Sequence, residues 1–175
     1  MKIVISLYAL KDYFEDDEGL YEAIELAFQE LYRYDGKFIF DESLEKDVSK
    51  EVGKYHVGER TIVFWFASYL QGILRMTSKY KTYNLDCEYN RNIYDIKALP
   101  NFPNGTFPDL IIHRRRNNDN NLLIMEFKTY WNSNTEIDSL KVREFVDKKG
   151  SYKYKYGLVV VIGRTLEETT FEVYK

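Results

Sequence analysis

The chain has 175 residues, 45% of them hydrophobic and 30% charged, which fits a single globular domain around one core. A net charge of −3 gives no global positive field, so any hold on nucleic acid must come from a local patch or from bound metal. The lone cysteine, Cys87, excludes an internal disulfide, and no apolar run reaches the roughly 20 residues of a membrane span, so a soluble cytoplasmic protein without a membrane partner is expected.

The opening MKIVISLYALKDYFEDDEG holds a short apolar run followed by acids, with no small-residue cleavage site. It reads as part of the fold, not as a signal peptide. Residues 17–34 predict an amphipathic helix, with Leu20, Ile24, Ala27, Phe28 and Leu31 at three- and four-residue steps. Asp35-Gly36 is expected to end it. A short strand at Phe38–Phe40 and a weak helix are expected before Lys54. From Glu59 to Met76, ERTIVFWFASYLQGILRM predicts a strong helix with a stripe through Ile62, Val63, Phe66, Tyr69, Leu70, Ile73 and Leu74. Three strands are predicted next, at 83–89, 107–113 and 122–128. A charged helix follows over 135–149, then a buried strand at 156–162 (YGLVVVI) and a short strand at 171–174. The asparagine-rich RRRNNDNN at 114–121 sits where a hairpin turn is expected.

The chemistry concentrates in PDLIIHRRRNNDNNLLIMEFK, residues 108–128. Residues two apart in a strand share a face, so Glu126 and Lys128 point the same way, as do Asp109, Ile111 and His113. A hairpin centred near Asn117–Asp119 puts Asp109 opposite Glu126 or Lys128, with all three polar groups on one side. A one-residue slip would separate them. Two close carboxylates repel unless a cation neutralises them, and Mg²⁺ favours one or two carboxylates with waters and phosphate oxygens. A neighbouring ammonium can orient or deprotonate an attacking water, or stabilise charge on a phosphate. Glu59, in the first turn of the strong helix and on the face of Ile62 and Val63, is placed to reach such a cation. These are the parts of a phosphodiester hydrolase.

Around this core, Asp86 and Glu88 share a face of the first strand, where they either line the site or form the wet side of an edge. Arg114, Arg115 and Arg116 at the hairpin tip track phosphates in one reading and serve solubility in the other. His113 lies roughly 13 Å along the strand from Asp109, too far to share its ion. His56 is expected in solvent and Cys87 as a small buried hydrophobe. Sixteen tyrosines and eleven phenylalanines exceed what a small core encloses, so a share of rings is expected outside, as a stacking surface or as the product of AT-rich coding drift. No glycine-rich phosphate loop, zinc spacing or nucleophile elbow is present.

Pro108-Asp109, the spacing to Glu126-Phe127-Lys128, and the preceding helix with Glu59 resemble the PD-(D/E)XK nuclease superfamily, over roughly residues 59–163. DCEYNR (86–91) and YKYG (154–157) are similar to small stand-alone members of prokaryotic genomes and mobile elements. The resemblance implies an α/β fold with a restriction-endonuclease-like αβββαβ core, a central mixed sheet flanked by helices, at 56–175, after an N-terminal helical extension at 1–55. It implies a metal-dependent nuclease acting on nucleic acid, DNA before RNA. Asp109, Glu126 and the Phe127 carbonyl would hold Mg²⁺ or Mn²⁺, Lys128 would serve the water, and Glu59 would be the helix carboxylate. An inactive descendant that binds nucleic acid or a protein partner is the alternative.

Overall fold

The computed structural model describes residues 3–42 and 56–175. Along the chain run β1 (Val4–Ser6), α1 (Leu10–Tyr13), α2 (Glu18–Ile39), α3 (Glu59–Met76), β2 (Asn84–Cys87), β3 (Arg91–Asn92), β4 (Asp95–Ile96), β5 (Leu110–His113), β6 (Leu123–Thr129), α4 (Glu136–Val146), β7 (Tyr156–Ile162) and β8 (Thr170–Tyr174). Six strands form one mixed sheet in the order β1-β8-β7-β6-β5-β2, and β3 and β4 form a separate two-stranded ribbon. Among the described strands of this sheet, β6 and β7 alone are parallel, joined by α4 as the crossover; the other neighbours are antiparallel. No helix among the described residues is long and apolar enough to cross a membrane.

Strand alternation divides the core into two layers. Leu110, Ile112, Leu123, Met125 and Phe127 face α1, α2 and α3, where they meet Phe28, Phe66 and Leu70. Ile111, Ile124 and Val159 face the other way and pack on Val142, Phe145 and Val146 of α4. The strands are therefore apolar on both faces, as expected for central strands covered on each side by helices. Glu126 and Lys128 have the parity of Ile124, which turns both toward α4.

Two features of the N-terminal half differ from expectation. Asp35-Gly36 does not end α2, and Phe38 and Ile39 are helical rather than extended. Asp35 sits on the buried stripe one turn after Leu31 and one before Ile39, and its carboxylate accepts the Tyr69 hydroxyl at 2.6 Å. That bond from α3 removes the need for a turn, and the helix runs on until Phe40 becomes extended. The expected helix between Asp41 and Lys54 lies largely outside the described residues. The opening apolar run is β1, an edge strand on β8 with Val4 opposite Glu172. The N-terminal region thus adds a strand to the sheet as well as helices to one face.

Tyrosine placement is mixed. Tyr80, Tyr152, Tyr154 and Tyr156 are buried, whereas Tyr8, Tyr34 and Tyr94 are exposed. Several buried hydroxyls bond to distant parts of the chain: Tyr152 donates to the Ala98 carbonyl at 3.0 Å and Tyr156 to Asp16 at 2.5 Å. Tyr152 and Tyr156 therefore act as bolts between elements, each with a satisfied polar end, whereas the buried Tyr154 hydroxyl has no partner.

Candidate active site

The β5–β6 register decides the arrangement. Leu110 pairs with Met125 and Ile111 with Ile124, so Asp109, one residue before β5, lies opposite Glu126. Pro108 has no N–H to give a ladder, and β5 itself begins only at Leu110. Asp109 instead caps the edge of β6: its Oδ2 accepts the Phe127 amide at 2.8 Å. A strand residue turns its N–H and C=O to the same neighbouring edge, so the Phe127 carbonyl also faces the Asp109 side.

Glu126 is fully buried under α4, at 0% exposure. Its Oε2 accepts Lys141 Nζ at 2.7 Å, while its Oε1 is buried with no hydrogen-bond partner. Lys128, two residues further on the same face, lies 3.1 Å from Asp138 Oδ2 and 3.6 Å from Glu59 Oε1. Asp138 Oδ1 is also 3.9 Å from Lys141 Nζ. Six charged side chains from four segments of the chain therefore form one cluster: Glu59 from α3, Asp109 before β5, Glu126 and Lys128 from β6, Asp138 and Lys141 from α4.

Glu59 reaches this cluster from the layer opposite α4. The roof over the acidic face of the sheet is α4, not the helix carrying Glu59. Gly58 is extended and α3 starts at Glu59 with Ile62 and Val63 buried below it, which sets the carboxylate at the end of the strands, where it reaches round to Lys128.

Four carboxylates against two ammoniums leave two negative charges uncompensated, and the electrostatics reflect it. Burial, with Asp109 nearby, pushes Glu126 well above the usual carboxylate range. Burial also raises Asp109, opposed by the Phe127 hydrogen bond and both lysines. Glu59 is raised by burial, with Lys128 pulling against it. For Lys128, burial disfavours the charge, but Asp138 and Glu59 outweigh it and the ammonium is held more firmly than in water. An excess of buried negative charge of this kind is relieved by a proton on one of the acids or by a neutralising cation.

The cluster opens to solvent through a pocket of about 210 Å³ lined by Glu59, Arg60, Val63, Phe64, Cys87, Glu88 and Asp109. Glu88 therefore lines the mouth of the site, where its carboxylate pairs with Arg60 at 2.7 Å. Cys87 is exposed in the same pocket, not buried as expected, because β2 is the last strand of the sheet and Cys87 is its final residue. Asp86 is neither a site residue nor a wet edge. It is half-buried, accepts His113 Nε2 at 2.9 Å and binds the Arg115 guanidinium through both oxygens. His56 is stacked on the Trp131 indole, with ring centroids 4.1 Å apart, rather than free in solvent.

The arginine run lies at the other end of β5 from Asp109, roughly 16 Å or more along the strand. Arg114 donates to the Thr82 hydroxyl at 2.9 Å and covers the Tyr83 ring, and Arg115 is committed to Asp86. The exposed Arg116 has a left-handed backbone, φ 64°. None of the three lines the site.

Asp138 and Lys141 were not singled out from the sequence. Their signal was present, since Asp138 falls on the stripe of Ser139, Val142, Phe145 and Val146 that α4 buries. A charged residue on a buried stripe needs a partner. Glu172 shows the contrasting case: equally buried on the same sheet face, it accepts the hydroxyls of Thr135 and Ser139 at 2.5 Å each and of Tyr174 at 2.9 Å. Glu172 anchors the start of α4 with hydroxyl partners, whereas Glu126 keeps one buried oxygen open.

Among the described residues, no group of three or more His, Cys, Asp or Glu side chains is arranged to hold a metal ion. The donors expected for an ion here are two carboxylates and a main-chain carbonyl, with water and phosphate completing the shell, as Mg²⁺ prefers. The buried, unpartnered Glu126 Oε1, in a cluster with two uncompensated charges that includes Asp109, fits such an ion. No family model matches the chain, and no curated protein or solved structure matches it.

Proposed function

We propose that this chain is a metal-dependent nuclease of the PD-(D/E)XK type, with a restriction-endonuclease-like core, hydrolysing nucleic-acid phosphodiesters, DNA first. The observation that carries the reading is the β5–β6 register, which sets Asp109 opposite Glu126 with Lys128 on the same face. Asp109, Glu126 and the Phe127 carbonyl would hold Mg²⁺ or Mn²⁺. When bound, the ion would polarise the phosphate and supply a more acidic water. Lys128, kept charged by Asp138 and Glu59, stabilises the negative charge that grows on the phosphate oxygens and orients the attacking water. Glu59, at the mouth between Lys128 and the pocket, accepts a hydrogen bond from that water or from the leaving hydroxyl. The neighbouring pocket admits the substrate next to the scissile group, with Arg60 at its rim.

The test is cleavage of plasmid and of single-stranded oligonucleotides with Mg²⁺ or Mn²⁺, comparing the protein with its Lys128→Ala and Asp109→Asn variants. The expected outcome is metal-dependent cleavage that falls at least about 100-fold in either variant, the scale of losing one charge-stabilising group. Equal cleavage by all three proteins identifies a contaminant and refutes the assignment. Absence of cleavage with retained nucleic-acid binding points to the alternative, an inactive binding module.

A further inference from the structure

The α4 pair Asp138 and Lys141 is a built part of the cluster. Lys141 contacts the most buried carboxylate among the described residues at 2.7 Å, and Asp138, only 5% exposed, stands between Lys141 and Lys128 at 3.9 and 3.1 Å. A lysine on a helix surface normally extends into water; this one is turned inward onto Glu126. The second oxygen of Glu126 stays buried and unpartnered, so the lysine neutralises the residue without filling its bonding capacity.

We propose that Lys141 is a resident counter-ion that occupies Glu126 until a divalent cation arrives, and that cation binding exchanges the ammonium away from Glu126 onto Asp138. The inference rests on the nuclease reading of the same site. Three features support it. Glu126 is too deeply buried to remain charged alone, and Lys141 is the cation closest to it. Asp138 already lies within 3.9 Å of the Lys141 ammonium, so a small rotation of a flexible side chain re-pairs it without leaving a charge stranded. Lys128 is held on the opposite oxygen of Asp138, so the two lysines share one acceptor and their positions are coupled. Metal affinity is then set by competition: the ion must displace an ammonium already in place, and the displaced charge moves to Asp138. Asp138 and Lys141 are positioning residues in this scheme, acting through Glu126 and Lys128.

The experiment measures Mn²⁺ binding to the full chain without nucleic acid, by electron paramagnetic resonance of free Mn²⁺, for the wild type, Lys141→Met, Lys141→Gln and Glu126→Gln. Removing the competing ammonium is expected to tighten Mn²⁺ binding about tenfold or more in both Lys141 variants, on the scale of close charge pairs. Their thermal stability should fall without metal and recover with Mn²⁺. Glu126→Gln should lose the binding. A merely structural role for Lys141 does not tighten metal binding. Unchanged or weaker Mn²⁺ binding in both Lys141 variants, with Glu126→Gln still abolishing it, overturns the exchange and leaves the nuclease reading standing. If neither the wild type nor the Lys141 variants bind Mn²⁺, the exchange and the metal-dependent reading fall together. If the Lys141 variants unfold, Mn²⁺ must restore their fold; failure to do so also overturns the exchange.

Discussion

Gly157 is where the fold can be perturbed to move the candidate site without touching it. It sits in β7 facing α4, and a Cβ built there would lie 2.5 Å from Val142 Cγ1 and 2.7 Å from Val146 Cγ1. Carbon atoms in contact prefer about 3.5–4.0 Å, so Gly157→Ala must push α4 outward by roughly 1 Å at two consecutive turns. Overpacking of this kind costs about 1–3 kcal/mol, and the lost freedom of the unfolded glycine returns roughly 0.4–1 kcal/mol. At mid-range the two leave a net loss of about 1.3 kcal/mol, visible as a fall of roughly 0.5–1 M in the urea midpoint with an unchanged slope. Because α4 carries Asp138 and Lys141, the cleavage rate should fall by up to about 100-fold in protein that remains folded, since displacements near 1 Å are that costly to a reacting geometry. Val142→Ala opens the space on the helix side. The double variant should therefore be more stable than the sum of the two single losses by about 1 kcal/mol. A Gly157→Ala protein as stable as the wild type, or a strictly additive double variant, would refute the close approach of β7 and α4 on which the site description depends.

Two further predictions concern charges outside the site. Lys97 is 1% exposed and surrounded by the rings of Tyr89, Phe145, Tyr152 and Tyr154, with its ammonium 4.8–5.8 Å from their centroids. Burial pushes its pKa down to about 8 from 10.5, with Asp86 opposing. Between those values the unfolded chain binds more protons than the folded one, so stability should rise with pH from about 8 to 10.5 by at most about 3 kcal/mol, with the rings reducing the figure. Urea unfolding of Lys97→Met across that range should lose this rise, and an identical pH profile in the variant would contradict it. At the hairpin tip, Arg115→Ala removes the main partner of Asp86, a carboxylate that burial raises but Arg115 and His113 together hold well below its ordinary range. The variant should lose about 1–3 kcal/mol of stability at neutral pH while binding nucleic acid as the wild type does. A selective loss of nucleic-acid binding would restore the phosphate-tracking reading of the arginine run.

Local sequence determined the elements whose signals agree with one another. The α3 stripe from Ile62 to Leu74 and the β-branched run of β7 are legible because burial repeats at the period of the element itself, and α3 and β7 start and stop where the pattern does. The pairing of Asp109 with the Glu126–Lys128 face was legible too, because two adjacent apolar strands joined through the asparagine-rich segment 114–122 pair antiparallel, and alternation then fixes which side each residue faces; that the partner is Glu126 and not Lys128 was left to the register that packing sets. The end of α2 was not legible: Asp35-Gly36 is a local stop signal that a hydroxyl from α3 overrides. Nor were Asp138 and Lys141, which lie in a helix read as charged and which meet Glu126 only because the parallel β6–β7 connection lays α4 over that face of the sheet. Which carboxylate keeps an open oxygen, and which lysine guards it, depends on burial and distance between segments remote in the chain, and packing alone sets both.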